Sequence, residues 1–368
     1  SSFICAPTGE VLAQAGRDST EVITATLEPD VMARWRGLFL FALGSLAVVL
    51  LLKDAAVLTL AAFGIELSAG VQSFVFLGAS LSIFILSPRL LVLLLPTWSL
   101  SEEARQRLKL VSDTAMLREP LVRVWNTHGS VMNAFAIGFI PRLRCVLLSD
   151  ALLQNLRAEE IEAVYAHELG HMRHRHVAWY LLFFVTLLLL FSGPFFYVAS
   201  MLFPANLDAV AIAWYWRVLD VTLSVGVIAG VLLGFGWLSR RFEREADVFA
   251  ASTMQRRIDE LADMPVSKGP GMLGASLFSQ ALYSAAGGVG PPRITGPGAW
   301  RKHLRRWRDW PRTISSSFLH GSVRDRATFL QHVASKPADL EHFRRRMFVL
   351  RIAMVATCVG SAMFLALS

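Results

Sequence analysis

Residues 163–176 read AVYAHELGHMRHRH: two histidines four apart around a glutamate, running straight into the apolar stretch that opens at Val177. On an α-helix, positions four apart differ by about 40° in direction and about one turn in height. His167 and His171 therefore aim two imidazoles at one point. Glu168 lies about 100° round, beside that point rather than on it, which suits a base acting on a metal-bound water. Gly170 allows close approach to a packing neighbour. The alternative is a polar cuff on a membrane anchor, with solvated histidines on a charged helix end, and the pattern alone leaves both open.

The surroundings favour a membrane. The chain has 368 residues, 54% hydrophobic and 17% charged, a balance too apolar for an ordinary soluble protein. Crossing a hydrocarbon core takes about 20 apolar residues as a helix. Candidate spans are 37–52, extended through Lys53-Asp54; 71–95, interrupted near its end by Pro88 and Arg89; 177–203; 214–238; and 347–367. Trp179, Tyr180, Trp214, Tyr215 and Trp216 sit where an aromatic belt is expected.

Net charge is +8 and uneven, with Arg240, Arg241, Arg301, Arg305, Arg306, Arg308 and Arg344 to Arg346 all following the fourth span. The loop at 204–213 has no Lys or Arg. The positive-inside rule then puts residues 97–176 and 239–346 on the cytoplasmic side and the 204–213 loop outside. Cys5, Cys145 and Cys358 are far apart and odd in number, so no disulfide framework is indicated. With no initial Met and no signal-peptide pattern, the chain reads as a fragment.

Residues 1–36 alternate apolar and polar positions around Pro7-Thr8-Gly9, as short strands and turns do. Their P-x-G-x-V pattern resembles the C-terminal tail of nitrilase-type amidohydrolases, without any of that family's catalytic residues. In the block 97–176, Ser101 with Glu102 and Glu103 marks a capped helix start. LVRVWNTHGSVMNAFAIGF and RCVLLSD read as strands, and LRAEEIEAVYAHELGHMRHRH as one helix. After the apolar hairpin, SRRFEREADVFAAS is helical again. A Gly/Pro-rich linker over 265–298 holds one short helix, MLGASLFSQALYSAA, and Trp300 to Trp310 form a basic aromatic run. Beside membrane spans that run suits a headgroup-facing surface or a patch on the catalytic domain rather than nucleic acid.

A catalytic zinc uses three protein ligands and keeps one position for water. A hairpin of two spans returns the chain to the side it left, so residues just after the fourth span lie near the helix just before the third. Glu243, Glu245 and Asp247 are there. They equally suit a solvated face on which acids alternate with arginines.

HELGH, an apolar hairpin and then SRRFEREADVFA together resemble the integral-membrane zinc metallopeptidases that include the HtpX-like and CAAX prenyl proteases. The resemblance covers roughly residues 100–335. It implies His167, His171 and Glu243 as ligands of one Zn2+ per chain, Glu168 as general base, Asp247 orienting a zinc histidine, and Glu245 as a bystander. VMNAFAIGF is similar to the family's substrate-binding edge strand, which implies backbone contacts at Asn133 and Ala134. LHGSVRDRATFL resembles its H-P-x-x-x-x-R stretch, with Gly321 where Pro is usual; this implies His320 as an oxyanion donor and Arg326 as a structural partner. His174 and His176 read as interface residues near the membrane edge.

The expectation is a mainly α membrane protein: about five transmembrane helices and a cytoplasmic α+β zincin-type metalloprotease domain split by a transmembrane hairpin. Its parts are a β-rich appendage (1–36), two spans (37–96), the first catalytic part (97–176), the hairpin (177–238), the second catalytic part (239–346) and a last span (347–367). The expected activity is zinc endopeptidase action on membrane or membrane-proximal proteins, in quality control at a bacterial inner membrane. Its partners are protein or peptide substrates and the bilayer, without nucleic acid. Rival readings are a signalling protease of the antirepressor type, a non-catalytic scaffold retaining the fold, and a transporter. The polar residues lie outside the spans, which disfavours the transporter.

Overall fold

The structure, a computed structural model, describes residues 3–5, 11–14, 51, 54–55, 58–60, 62–64, 69–129, 131–138, 140–191, 197, 201, 209–267, 269–286 and 322–367. It divides into two units, Ser1–Thr97 with Asn126–His128 and Trp98–Trp125 with Gly129–Ser368.

In the first unit, strands β1 (Phe3–Cys5) and β2 (Val11–Gln14) pair antiparallel, with a register irregularity between Ile4 and Cys5. Helix α1 (Ala69–Leu94) covers the expected span at 71–95 and carries Pro88 inside it. Apart from Leu51, the span expected at 37–52 lies outside the described residues.

The second unit opens with α2 (Glu102–Thr114), whose Ser101 side chain accepts from the Ala104 N–H as the sequence indicated. The long strand-like run resolves into β3 (Leu121–Trp125) and β4 (Ala134–Ile137), followed by β5 (Cys145–Ser149). β5 is buried throughout, parallel to β3 and antiparallel to β4. β4 lies at the edge of this sheet. Ser149 then caps the short helix α3 (Asp150–Asn155).

Helix α4 (Ala158–Arg173) carries HELGH, and here the structure corrects the sequence. The expected helix through His176 stops early: Arg175 adopts a left-handed backbone (φ 55°, ψ 40°), and α5 (His176–Leu190) starts in a new direction. A left-handed residue other than glycine costs about 1–2 kcal/mol, so other contacts must hold this corner. After α5 comes α6 (Ala209–Leu261), 53 residues without a break, so the fourth expected span and the FEREAD helix are one element.

Along α6 the environment changes near Leu238. Val221, Val225, Ile228, Leu232 and Leu233 are exposed, whereas Phe242, Glu243, Ala246, Asp247 and Met254 are buried. At about 1.5 Å per residue α6 is about 80 Å long, far beyond a bilayer core, so its second half must leave any membrane. The unit is completed by α7 (Met272–Ala285), α8 (Val323–Ser335) and α9 (Pro337–Leu367). Among the described residues two helical stretches are long and apolar enough to cross a membrane, Ser224–Leu261 and Pro337–Leu365; Ile85–Leu94 and His176–Leu190 are apolar but shorter. These two stretches overlap the spans expected at 214–238 and 347–367.

The core gathers β5, α2, α4, α6, α7 and α8, with Tyr165, Leu148, Leu169, Phe278 and Leu330 fully buried. Tyr165 and Ser112 share a 2.9 Å hydrogen bond between α4 and α2. At Gly170 an added Cβ would stand 2.9 Å from the Ala246 Cα. Two backbones thus touch there, which is the close approach that HELGH implied.

Candidate active site

This backbone contact sets the site. With α4 and α6 in contact at Gly170 and Ala246, the residue three before Ala246 is brought against His167 and His171. The two Nε2 atoms are 3.1 Å apart. Glu243 places Oε2 3.4 Å from His167 Nε2 and Oε1 3.7 Å from His171 Nε2. Ligands about 2.1 Å from a tetrahedral zinc stand about 3.4 Å from each other, so these three spacings are those of one coordination face. All three donors lie within 4.8 Å of one another. Of the three acids that the sequence offered, Glu243 is the one that faces the Nε2 atoms of both imidazoles.

The next layer is built from both helices and α8. Asp247 is fully buried and puts Oδ1 3.0 Å from His167 Nδ1, on the side away from Glu243. Arg326 grips Asp247 with two guanidinium nitrogens, one at 2.8 Å, and reaches Glu243 Oε2 at 3.2 Å. Burial resists charge on Asp247, yet the Arg326 and His167 charges hold its carboxyl below the ordinary range. Burial also pulls His167 down, but Asp247 and Glu243 outweigh it and raise the imidazole to about 9. His167 stacks on Phe278 of α7, with ring centroids 5.6 Å apart.

His171 is held from behind by residues that the sequence reading set aside. His176 is fully buried, with Nδ1 2.8 Å from His171 Nδ1 and Nε2 3.0 Å from Glu245 Oε2. Arg351 of α9 donates to Glu245 at 2.6 Å, and His174 Nδ1 lies 3.3 Å from its other oxygen. Glu245 is thus an anchor rather than a bystander, and His176 is a core residue rather than an interface one. On an unbroken helix His176 would point about 140° away from His171. The left-handed turn at Arg175 swings it back, and a flat stack on Phe242 fixes it, centroids 4.3 Å apart and planes 3° from parallel. Burial, then the Arg351 charge, pushes His176 down to about 3, so its imidazole is neutral.

A cleft of about 430 Å³ opens onto His167, Glu168, His171 and Glu243. One wall is Met132 to Ala136 and the other includes Tyr180, Phe235 and Ser239. Glu168 is buried on α4 against this space, one residue after His167. Asn133 shapes the start of the edge strand, its Oδ1 accepting from the Ala134 N–H at 2.9 Å and its carbonyl accepting from Ser149 N–H. Its side chain is engaged locally, so the backbone of 133–136 is what the cleft offers. His320 and Gly321 lie outside the described residues.

The donor set, its spacing and the adjoining acid fit a catalytic divalent metal. Residues 101–279 match peptidase family M48. The resemblance read from HELGH and FEREAD is thereby borne out, and the M48 match ends within α7, which stacks on His167. A protease HtpX homolog of Verminephrobacter eiseniae is 30% identical over 172 residues, 45% of this chain and 58% of its own length. One from Albidiferax ferrireducens is 31% identical over 204 residues, 51% of this chain and 64% of its own. The chain thus spans about three fifths of the length of these relatives. The crystal structure of S. mikatae Ste24p overlaps 70% of this chain and 64% of that one at 16% identity, with a TM-score of 0.40.

Proposed function

We propose that this chain is a membrane-embedded, zinc-dependent endopeptidase of the HtpX-like kind, hydrolysing membrane or membrane-proximal proteins in quality control at the cytoplasmic face of a bacterial inner membrane. The observation that carries the reading is the convergence of His167, His171 and Glu243 beside a buried Glu168 and a free strand edge in one cleft. When bound, zinc supplies a Lewis acid that polarises a carbonyl and acidifies a water. His167, His171 and Glu243 would hold it. Glu168 takes the proton of the attacking water and delivers it to the leaving amine. The edge of β4 receives the substrate as an added strand, so main-chain bonds from Asn133 to Ala136 hold an extended peptide across the cleft. Tyr180 and Phe235, on α5 and α6, extend the cleft toward the apolar helices and suit substrates that arrive from a bilayer.

The test is digestion of casein and unfolded membrane proteins by detergent-purified chain, with chelator added and zinc then restored. Cleavage that stops with chelator, returns with zinc and is absent from Glu168→Gln supports the reading. Absent cleavage would send it back to the scaffold alternative, and cleavage indifferent to chelator and kept by Glu168→Gln would overturn the metal-dependent mechanism.

A further inference from the structure

Away from the cleft, α6, α8 and α9 line a second cavity whose chemistry the peptidase reading leaves unused. One chamber of about 270 Å³ is lined by Arg241, Arg244, His332, His342 and Arg346. An adjoining chamber of about 450 Å³ shares Arg241 and Arg346, adds Arg345, and continues onto Trp237, Val349 and Leu350. Asp339 is the carboxylate among these lining residues, and His332 already holds it at 2.7 Å. The Arg241 guanidinium carbon sits over the Trp237 ring, 3.8 Å from its centroid, and that of Arg244 lies 5.2 Å from the Phe329 centroid. Among the described residues no carboxylate pairs with Arg241, Arg345 or Arg346. Burial, then the charges of Arg244, Arg346 and Arg240, pushes the Arg241 guanidinium below its ordinary value.

Its position in the fold narrows the ligand. Arg241 follows the point on α6 where exposed apolar residues give way to buried polar ones, and Arg346 precedes the exposed apolar run Phe348, Val349, Ile352 and Val355 on α9. The cavity is thus polar and cationic on one side and apolar on the other, at the level where both helices would emerge from a bilayer. Surface arginines that only satisfy positive-inside topology need no cavity between helices. Basic pockets between membrane helices take lipid headgroups.

We propose that this cavity binds the phosphate of an anionic phospholipid, with Arg241, Arg345 and Arg346 around the headgroup and the acyl chains along Val349 and Leu350. This rests on reading α6 and α9 as membrane spans. Five residues after Arg346, the same helix carries Arg351 to Glu245, so a lipid seated here steadies the anchor behind His171.

The test uses the full chain in neutral detergent, with native mass spectrometry counting retained phosphatidylglycerol against phosphatidylcholine. Phosphatidylglycerol should be retained in preference, and R241Q/R346Q should lower that retention about tenfold or more. R344Q, whose Arg344 pairs with Glu341 at 2.7 Å, should leave it unchanged. Where the double variant loses its fold, the exposed R345Q reports instead, with the same direction. Equal retention of both lipids, or undiminished retention in these variants, overturns the proposal. Displacement of the lipid by equimolar inorganic phosphate overturns the lipid source and leaves a soluble-anion site. The span reading is checked apart from lipid: release of the chain from membranes by alkaline carbonate refutes the spans whatever the lipid count.

Discussion

His176 and His171 meet Nδ1 to Nδ1 at 2.8 Å across the break between α4 and α5. Only one of two facing ring nitrogens can carry the proton. His171 presents Nε2 to Glu243 and His167, so its Nδ1–H donates and His176 accepts. His176 then donates from Nε2 to Glu245, which Arg351 fixes. The chain of donors leaves His171 Nε2 with a free lone pair toward the site, as a metal ligand requires.

Replacing His176 by Phe should therefore weaken metal retention about 10–100-fold while leaving the helices in place, since Phe242 can stack on either ring. His176→Gln, which can still accept at this position, should recover part of the loss. Glu245→Gln should cost less than His176→Phe but more than nothing. Chelator-competition titration separates the three, and unchanged affinity in His176→Phe would show that the relay is only packing.

Arg326 joins α8 to α6 by gripping Asp247 and Glu243 together. Removing the cation from two buried carboxylates that otherwise share only the His167 charge leaves one of them without compensation, at a cost of about 3–5 kcal/mol. Arg326→Met should accordingly lower the unfolding midpoint and abolish metal retention, and the added variant Asp247→Asn should restore part of the stability without restoring the metal. Denaturant unfolding of the metal-free proteins measures this. A loss below about 1 kcal/mol would mean that the pairing is a surface-like one.

The first layer of the site was legible because each part has a local rule. Four-residue spacing joins His167 and His171, and the return of an apolar hairpin brings back an acid. The resemblance, not the geometry, chose Glu243 among three acids, and the structure places that residue at the imidazoles. What the sequence concealed depends on a backbone turn that nothing in MRHRH announces, for Arg175 is neither Gly nor Asn. At five residues' spacing His176 looks as though it faces away. Arg351 stands 106 residues from Glu245, and no periodicity links them. The continuity of α6 was more readable, since no Gly or Pro separates Leu238 from Asp247.

Gly170 gives a packing test of the same geometry. A Cβ there meets Ala246 Cα at 2.9 Å and its carbonyl oxygen at 3.1 Å, and backbone cannot rotate away as a side chain can. Gly170→Ala should force α4 and α6 apart and destabilise by about 1–3 kcal/mol. Because Glu243 reaches the imidazoles only through that contact, metal retention should fall with it. Gly170→Ala with normal metal content would show that the two helices can separate without opening the site.

Metal uptake should be coupled to a proton at His167. Without metal, Asp247 and Glu243 raise this imidazole to about 9 against the pull of burial, so at pH 7 it is protonated. A metal needs the neutral ring, and binding should release about one proton per chain. His171 contributes none, because burial holds its pKa well below the ordinary value. The sign follows: as pH falls below about 9 the proton competes better, and apparent affinity should drop about tenfold per unit. Asp247→Asn removes one of the charges that raise His167, so its proton release at pH 7 should shrink and the pH dependence should move downward, even though the histidine has lost its orienting partner. Calorimetry in buffers of different ionisation enthalpy counts the proton directly. Zero protons released by the unsubstituted chain at pH 7 would mean that His167 is already neutral there and that Arg326, not His167, neutralises the two carboxylates.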